Sequence, residues 1–341
     1  MRVELPDQYY DFAASVSDYL EREWTGADVR SYWDASGTKQ RSLWSGLAGL
    51  GLFALTVPVE HGGEGLPLTA TAPVLEHAGR QCLPHPIAET VAVVTPALAE
   101  AGTACAAGWL SRIANGTAIA TVQDGWNAYS PWATDADIVL VIDRSDTVHL
   151  CSAASVASRL ESTDPSRRLG QVGRDAIIET LTAPNLGQYA RARATAATAV
   201  VLTGCALQAI ERTVEYAKIR TQFGRTIGSF QAIKHLLANA YFAVETNRRF
   251  GWIALSEAGA QSAAMFEAVS IAKLTAGEAA QQASYAALQV HGGIGYTWDF
   301  DLHFWLKRIQ VLDNAFGTPD EHARRLATLY EDDGRVGLTS G

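Results

Sequence analysis

What this chain lacks narrows its class first. It has no block of basic residues, and its formal net charge is −9. That argues against nucleic acid and against an anionic membrane surface as partners. Its cysteines, Cys82, Cys105, Cys151 and Cys205, are scattered and form no CxxC pair. Such spacing speaks against a zinc site or a disulfide framework, and for buried thiols in a reducing compartment. The opening "MRVELPDQYYDF" lacks the apolar core of a signal peptide. No uninterrupted apolar run reaches the roughly 18 residues of a membrane helix. Neither an internal repeat nor a low-complexity tail is present. The expectation is a cytoplasmic protein with no metal site.

What is there suggests several subdomains. The 341 residues exceed one simple core, and 48% are apolar, enough to bury a large one. Residues 1–110 read as an N-terminal helical domain. "YYDFAASVSDYLEREW" places Phe12, Val16, Tyr19 and Leu20 on one helical face, and "RSLWSGLAGLGLFAL" does the same with Leu43, Leu47 and Leu50. "VPVEHGGEGLP" is a loop, and Pro84 and Pro86 break the helical pattern after it. Residues 111–188 change character: "GTAIATVQ", "ADIVLVIDRSDTVHLCSA" and "RDAIIETLTAP" are strand signals in a small β domain. From 189 to 341 the chain reads as a C-terminal helical bundle. Leu207, Ile210, Val214 and Ala217 form a stripe on its first long helix. Thr318 has the look of an N-cap for the last.

Three stretches carry a resemblance: "WSGLAGLGLFALTVPVEHGGEGL", "YAKIRTQFGRTIGSFQAIKH" and "AAQQASYAALQVHGGIGYTWDF". In order and spacing, across almost the whole chain, they resemble the acyl-CoA dehydrogenase family. The resemblance implies a mainly α fold with a small β domain: an N-terminal helical domain, a truncated middle β-barrel and a C-terminal four-helix bundle. It implies FAD, with the flavin ring in one subunit and the ADP half reaching the bundle of a neighbour. Arg220 would face the pyrophosphate, since a guanidinium is always charged and forks onto phosphate oxygens. Gln222 would hydrogen-bond nearby, Phe223 would pack on the adenine, and Gln289 would donate to the ADP part. Gly292 and Gly293, without Cβ, would let the backbone approach phosphate. Taken singly, each has a plainer reading: a solvated Arg, or one offsetting Glu215; a core Phe; a simple turn at "HGGIGY", which follows a helix and is not GxGxxG.

The chain departs from the family at its chemistry. The family's catalytic glutamate stands just before the Gly-Thr of "DNAFGT", where this chain has Phe316. The alternative location falls at Ala194, between Arg191 and Arg193, which are not bases. The Thr-Glu-Pro-x-x-Gly-Ser-Asp stretch of the middle domain is absent, and several strands of the usual barrel are missing. Asp313 and Glu245 are the replacement carboxylates to weigh, each more plainly a solvated or salt-bridged side chain. The losses are correlated: the parts that act in cis are gone, and the parts that serve a neighbour's FAD remain. The chain therefore resembles the shortened subunits of heteromeric (α2β2) steroid side-chain acyl-CoA dehydrogenases of actinobacteria. That resemblance implies no catalytic residue in this chain and no activity alone. It also implies a full-length homologue as partner, FAD shared with that partner, a steroid acyl-CoA substrate in cholesterol catabolism, and an electron-transferring flavoprotein as acceptor. Two alternatives stay open: a self-sufficient dehydrogenase with a relocated base, and a redox-inactive scaffold.

Overall fold

The computed structural model describes residues 4–33, 40–156 and 159–332. Residues 1–3 of the stretch read for a leader, and 333–334 after the last helix, lie outside them. The N-terminal region contains α1 (Asp7–Glu23), α2 (Gly26–Trp33), α3 (Gln40–Gly49), α4 (Ala72–Arg80), α5 (Ile87–Glu89), α6 (Thr95–Ala101) and α7 (Ala104–Ala114). On α1 the buried stripe is Tyr9, Ala13, Val16 and Leu20. It is rotated from the sequence reading, with Phe12 and Tyr19 only partly buried at its edges. On α3, Leu43 and Leu47 are buried, but Leu50 is 37% exposed. The helix ends at Gly49, and Gly51 turns the chain with φ +87°, a conformation that glycine adopts without strain. A π turn over Thr90–Val94 links α5 to α6 in one buried rod. Within it, the Thr90 hydroxyl donates to the Ala120 carbonyl at 2.6 Å and ties the rod to the first strand.

The Val- and Ile-rich stretches form β1 (Ala120–Asp124), β2 (Ile138–Ile142), β3 (Val148–Ser152), β4 (Arg159–Leu160), β5 (Leu169–Gly170) and β6 (Ile177–Leu181). The main sheet has four strands in the order β1-β2-β3-β6. β1 and β2 are parallel, with Ala120 opposite Ile138. β2–β3 and β3–β6 are antiparallel, with an irregularity at Leu150/Cys151. β2 is buried on both faces, whereas Ile177 and Ile178 of β6 are exposed. The truncated barrel is thus an open mixed sheet, with the β4–β5 ladder beside it.

The bundle is built from α8 (Leu186–Ile219), a hairpin of β7 (Thr221–Gln222) and β8 (Arg225–Thr226), then α9 (Gln231–Ala260), α10 (Met265–His291), α11 (Leu302–Asn314) and α12 (Pro319–Asp332). α8 is the hub and packs against α4, α9, α10 and α11. It is buried almost all round from Ala190 to Ile210, and toward its C-terminal end the stripe Leu207, Ile210, Val214 and Ala217 keeps to the core side while Glu215 and Lys218 are exposed. Small residues make this possible. A Cβ on Gly204 would lie 2.1 Å from the Glu76 carbonyl oxygen, and one on Gly79 would lie 2.2 Å from that of Val201. Glycine at both positions lets α4 and α8 touch backbone to backbone. α8 is long and apolar enough to cross a membrane by length and composition, yet 83% of its most apolar window is buried inside the fold. α12 begins with a capping box: Thr318 and Glu321 exchange hydrogen bonds, with the Thr318 N–H donating to the Glu321 carboxylate at 2.7 Å and the Glu321 N–H donating back to Thr318 Oγ1 at 3.3 Å.

Candidate functional site

Two of the singled-out motifs meet at one end of the bundle. α8 ends at Ile219 with Arg220 as its extended C-cap, and the next residues fold back as the β7–β8 hairpin. Its two-residue loop, Phe223-Gly224, has φ of +52° and +77°, as a tight primed turn requires. Ile227 after the hairpin and Val290 near the end of α10 join one small apolar cluster with Ala217 and Leu237. Tyr216 of α8 stacks on His291 of α10, ring centroids 4.3 Å apart. The "RTQFG" and "QVHGG" stretches are therefore held side by side, although they are far apart in sequence.

At this end the polar and aromatic groups are presented outward. Arg220 is exposed, and no carboxylate pairs with it among the described residues. Glu215 does not offset it, because Lys218 holds Glu215 at 2.6 Å. Phe223 is not core: it is 92% exposed and meets Phe230 edge-on at 6.3 Å. A bulky residue at positive φ with its ring in water costs free energy on both counts. Gln222 is exposed in the hairpin ladder. Gln289 is exposed and lines a groove of about 670 Å³ with Leu236, Gln281 and Tyr285. Gly292 closes α10 at φ +61°, and nothing lies within 4 Å of where a Cβ on Gly292 or Gly293 would be. The sequence reading missed Arg225, which sits over the Phe230 ring at 4.0 Å, and the groove residues Leu236 and Tyr285. The second Arg of "RTQFGRT" was the available signal.

The other candidate region lies around Phe316. Phe316 is buried and lines a groove of about 590 Å³ between β1 and α11. Its backbone has φ +56°, and Gly317 follows at +109°. This turn is pinned from below. The Lys273 ammonium donates to the carbonyls of Asp313 at 2.7 Å and Gly317 at 3.0 Å. His322 Nε2 contacts the Phe316 carbonyl at 3.2 Å, and its Nδ1 meets Ser270 Oγ at 3.3 Å. Burial pushes Lys273 down to about 8, partly offset by Asp313. Burial, with Arg325 and Lys273 nearby, pushes His322 down to about 4. His322 is therefore neutral at pH 7, and its Nε2–H can donate to Phe316.

Neither carboxylate weighed as a replacement base lines the Phe316 groove. Asp313 does not line the groove with Phe316; its carboxylate turns the other way, accepting from Gln281 Nε2 at 3.0 Å and lying against Gly277. Glu245 takes Arg248 at 3.3 Å. Ala194 is buried, Arg191 is bound to Asp124 and Asp146, and Arg193 is bound to Glu100.

Two family models match this chain: the acyl-CoA dehydrogenase N-terminal domain over residues 6–117 and the C-terminal domain over residues 188–328. The chain belongs to the acyl-CoA dehydrogenase family. Acyl-CoA dehydrogenase IpdE2 of Mycobacterium tuberculosis is 30% identical over 333 residues, covering 94% of this chain and 96% of the relative. A chain of the Tcur3481–Tcur3483 steroid ACAD has the same fold with TM-score 0.85 at 26% identity, covering 97% of this chain and 99% of that one. A chain of the ChsE4–ChsE5 complex from Mycobacterium tuberculosis superposes with TM-score 0.86 at 23% identity, covering 97% and 99%. The last likeness speaks for the fold alone.

Acyl-CoA dehydrogenases are FAD enzymes, and this chain fits that group unevenly. The bundle end suits an ADP half: an unpaired guanidinium, an exposed ring, a free amide and an open glycine corner. The region around Phe316 does not suit a flavin ring with its base. Phe316, where the resemblance expects the base, lines the groove with a phenyl ring, and an open four-stranded sheet stands beside it.

Proposed function

We propose that this chain is the shortened subunit of a heteromeric acyl-CoA dehydrogenase, and that it serves the FAD of a full-length partner. The observation that carries this reading is Arg220, exposed and without an ion pair, and Phe223, 92% exposed, at the bundle end that also holds the open corner at Gly292-Gly293. Bound FAD supplies the hydride acceptor for α,β-dehydrogenation of an acyl-CoA. This chain's part is binding. Arg220 gives charge-assisted hydrogen bonds to the pyrophosphate, Gln222 and Gln289 add polar contacts, and Phe223 covers the adenine. Gly292 and Gly293 admit phosphate against bare backbone. The partner supplies the flavin pocket and the glutamate that removes the Cα proton. With Phe316 in place of that carboxylate, this chain alone is inactive.

A steroid side-chain CoA ester is the proposed substrate class, supported by the likeness to the Tcur3481–Tcur3483 steroid ACAD. An α2β2 assembly in the cytoplasm, discharging to an electron-transferring flavoprotein, completes the reading. The test is Arg220→Ala in the co-expressed complex. Arg220 is exposed and holds nothing within its own chain, so folding and assembly should survive. FAD retention after gel filtration should fall by about tenfold or more, the loss of a charged hydrogen bond. Undiminished FAD would leave only a scaffold role.

A further inference from the structure

The groove beside Phe316 contains a buried charge without a hydrogen-bonded counterion. Arg167 lines it, is 8% exposed, and leaves its Nε–H without an acceptor. No carboxylate forms an ion pair with Arg167 among the described residues. The acids nearby are differently placed. Asp164 is held by Arg308, whose guanidinium also donates to the Leu83 carbonyl at 3.0 Å and to Ser166 Oγ at 2.7 Å. Glu89 is buried close enough to feel Arg167, yet makes no ion pair with it. The Trp132 ring lies under Arg167 at 5.1 Å, which partly offsets the charge but accepts no directed hydrogen bond. The Nε–H is enclosed, so the terminal nitrogens of Arg167 are the part of the guanidinium open to the groove, and they offer an anionic partner charge-assisted hydrogen bonds.

The rest of the groove describes that partner. Phe316, Leu160, Leu169 and Val311 line it with apolar surface. Its volume, about 590 Å³, falls within the range of small-molecule sites. Asp124 at one side is already taken by Arg191. Glu161 stands at the rim, exposed. We propose that this groove binds a small carboxylate with a flat apolar body, its head on Arg167 and its ring against Phe316. The Phe316 side chain is then a binding surface as well as the residue that stands where a base would be. The site does not rest on which subunit carries FAD.

Isothermal titration calorimetry on the full chain tests this, or on the co-expressed complex if the chain is obtained only in that form. The probe is naphthoate, with naphthylmethanol as the neutral analogue and inorganic phosphate as the bare anion. Naphthoate should bind saturably, and naphthylmethanol and phosphate at least about tenfold more weakly. Arg167→Gln should lose at least about tenfold in naphthoate affinity. Val311→Trp, on a partly exposed helix face, should close the groove and abolish binding with the melting temperature unchanged; it decides the matter if Arg167→Gln fails to fold. The proposal is overturned if naphthoate gives no saturable heat, or binds both variants as it binds the native chain. Phosphate binding as tightly as naphthoate would overturn the flat-body requirement.

Discussion

The turn that carries Phe316 should report on pH through His322. The ring is buried between α10 and the turn, with Nε2 on the Phe316 carbonyl and Nδ1 on Ser270. Lys273 and Arg325 face it as cations, and Glu321 as the nearby anion. Its pKa falls from 6.5 to about 4 in the folded chain. Between those values the unfolded chain binds more protons, so stability rises with pH across the window and is lost as pH falls from about 6.5 to 4. The full shift corresponds to about 3 kcal/mol. Lowering the pH from 7 to 5 realises about 2 kcal/mol of it. For a chain of this length that is roughly 3 °C in melting temperature. Other groups titrate over the same range, so the reading is the difference between native chain and His322→Gln. The glutamine keeps a donor for the Phe316 carbonyl but does not titrate. Thermal melts by circular dichroism at pH 7, 6 and 5 should show the native chain losing that much more than the variant. Parallel pH slopes in the two proteins would refute the assignment of a buried neutral imidazole.

Other consequences can be checked with the same preparations. Asp164→Asn leaves Arg308 buried without its counterion and should cost about 3–5 kcal/mol, seen as a large drop in urea midpoint. Gly204→Ala drives a methyl to 2.1 Å from the Glu76 carbonyl oxygen; α4 must move off α8, and thermal melting should fall by several degrees. Phe316→Glu should not create dehydrogenase activity in the isolated chain, because the base alone does not restore the flavin platform. It should also lower the melting temperature, since a carboxylate replaces a ring packed against the core. Turnover of an acyl-CoA by the lone variant with an artificial acceptor would contradict this.

Much of the fold was legible because local chemistry and packing agree. The helices of the C-terminal region follow their apolar spacing, and the capping pair Thr318–Glu321 marks the start of α12 in sequence and structure alike. Leu50 misled because the helical period runs past Gly49, where α3 ends. The α8 stripe of Leu207, Ile210, Val214 and Ala217 does face the core, but the turns before it are enclosed by neighbours, and there Ala, Thr and Gly replace a polar face. Candidate residues within one motif, such as Arg220 and Phe223, could be read together. Those that meet only through the fold could not. Arg167 comes from the β region, while Phe316 follows α11. Lys273 and His322 carry no motif, and only packing brings them under the Phe316 turn. Nearness in sequence misled for Asp313, three residues before Phe316, whose carboxylate α11 turns toward Gln281 and Gly277.

The central claim is that this chain completes another subunit's FAD site and does not hold the cofactor alone. Flavin absorbance per chain, with native mass, measured for the chain expressed alone and with a full-length homologue, tests it most directly. The account predicts a colourless single chain and about one FAD per mixed pair in the complex. A yellow single chain that oxidises an acyl-CoA would contradict it.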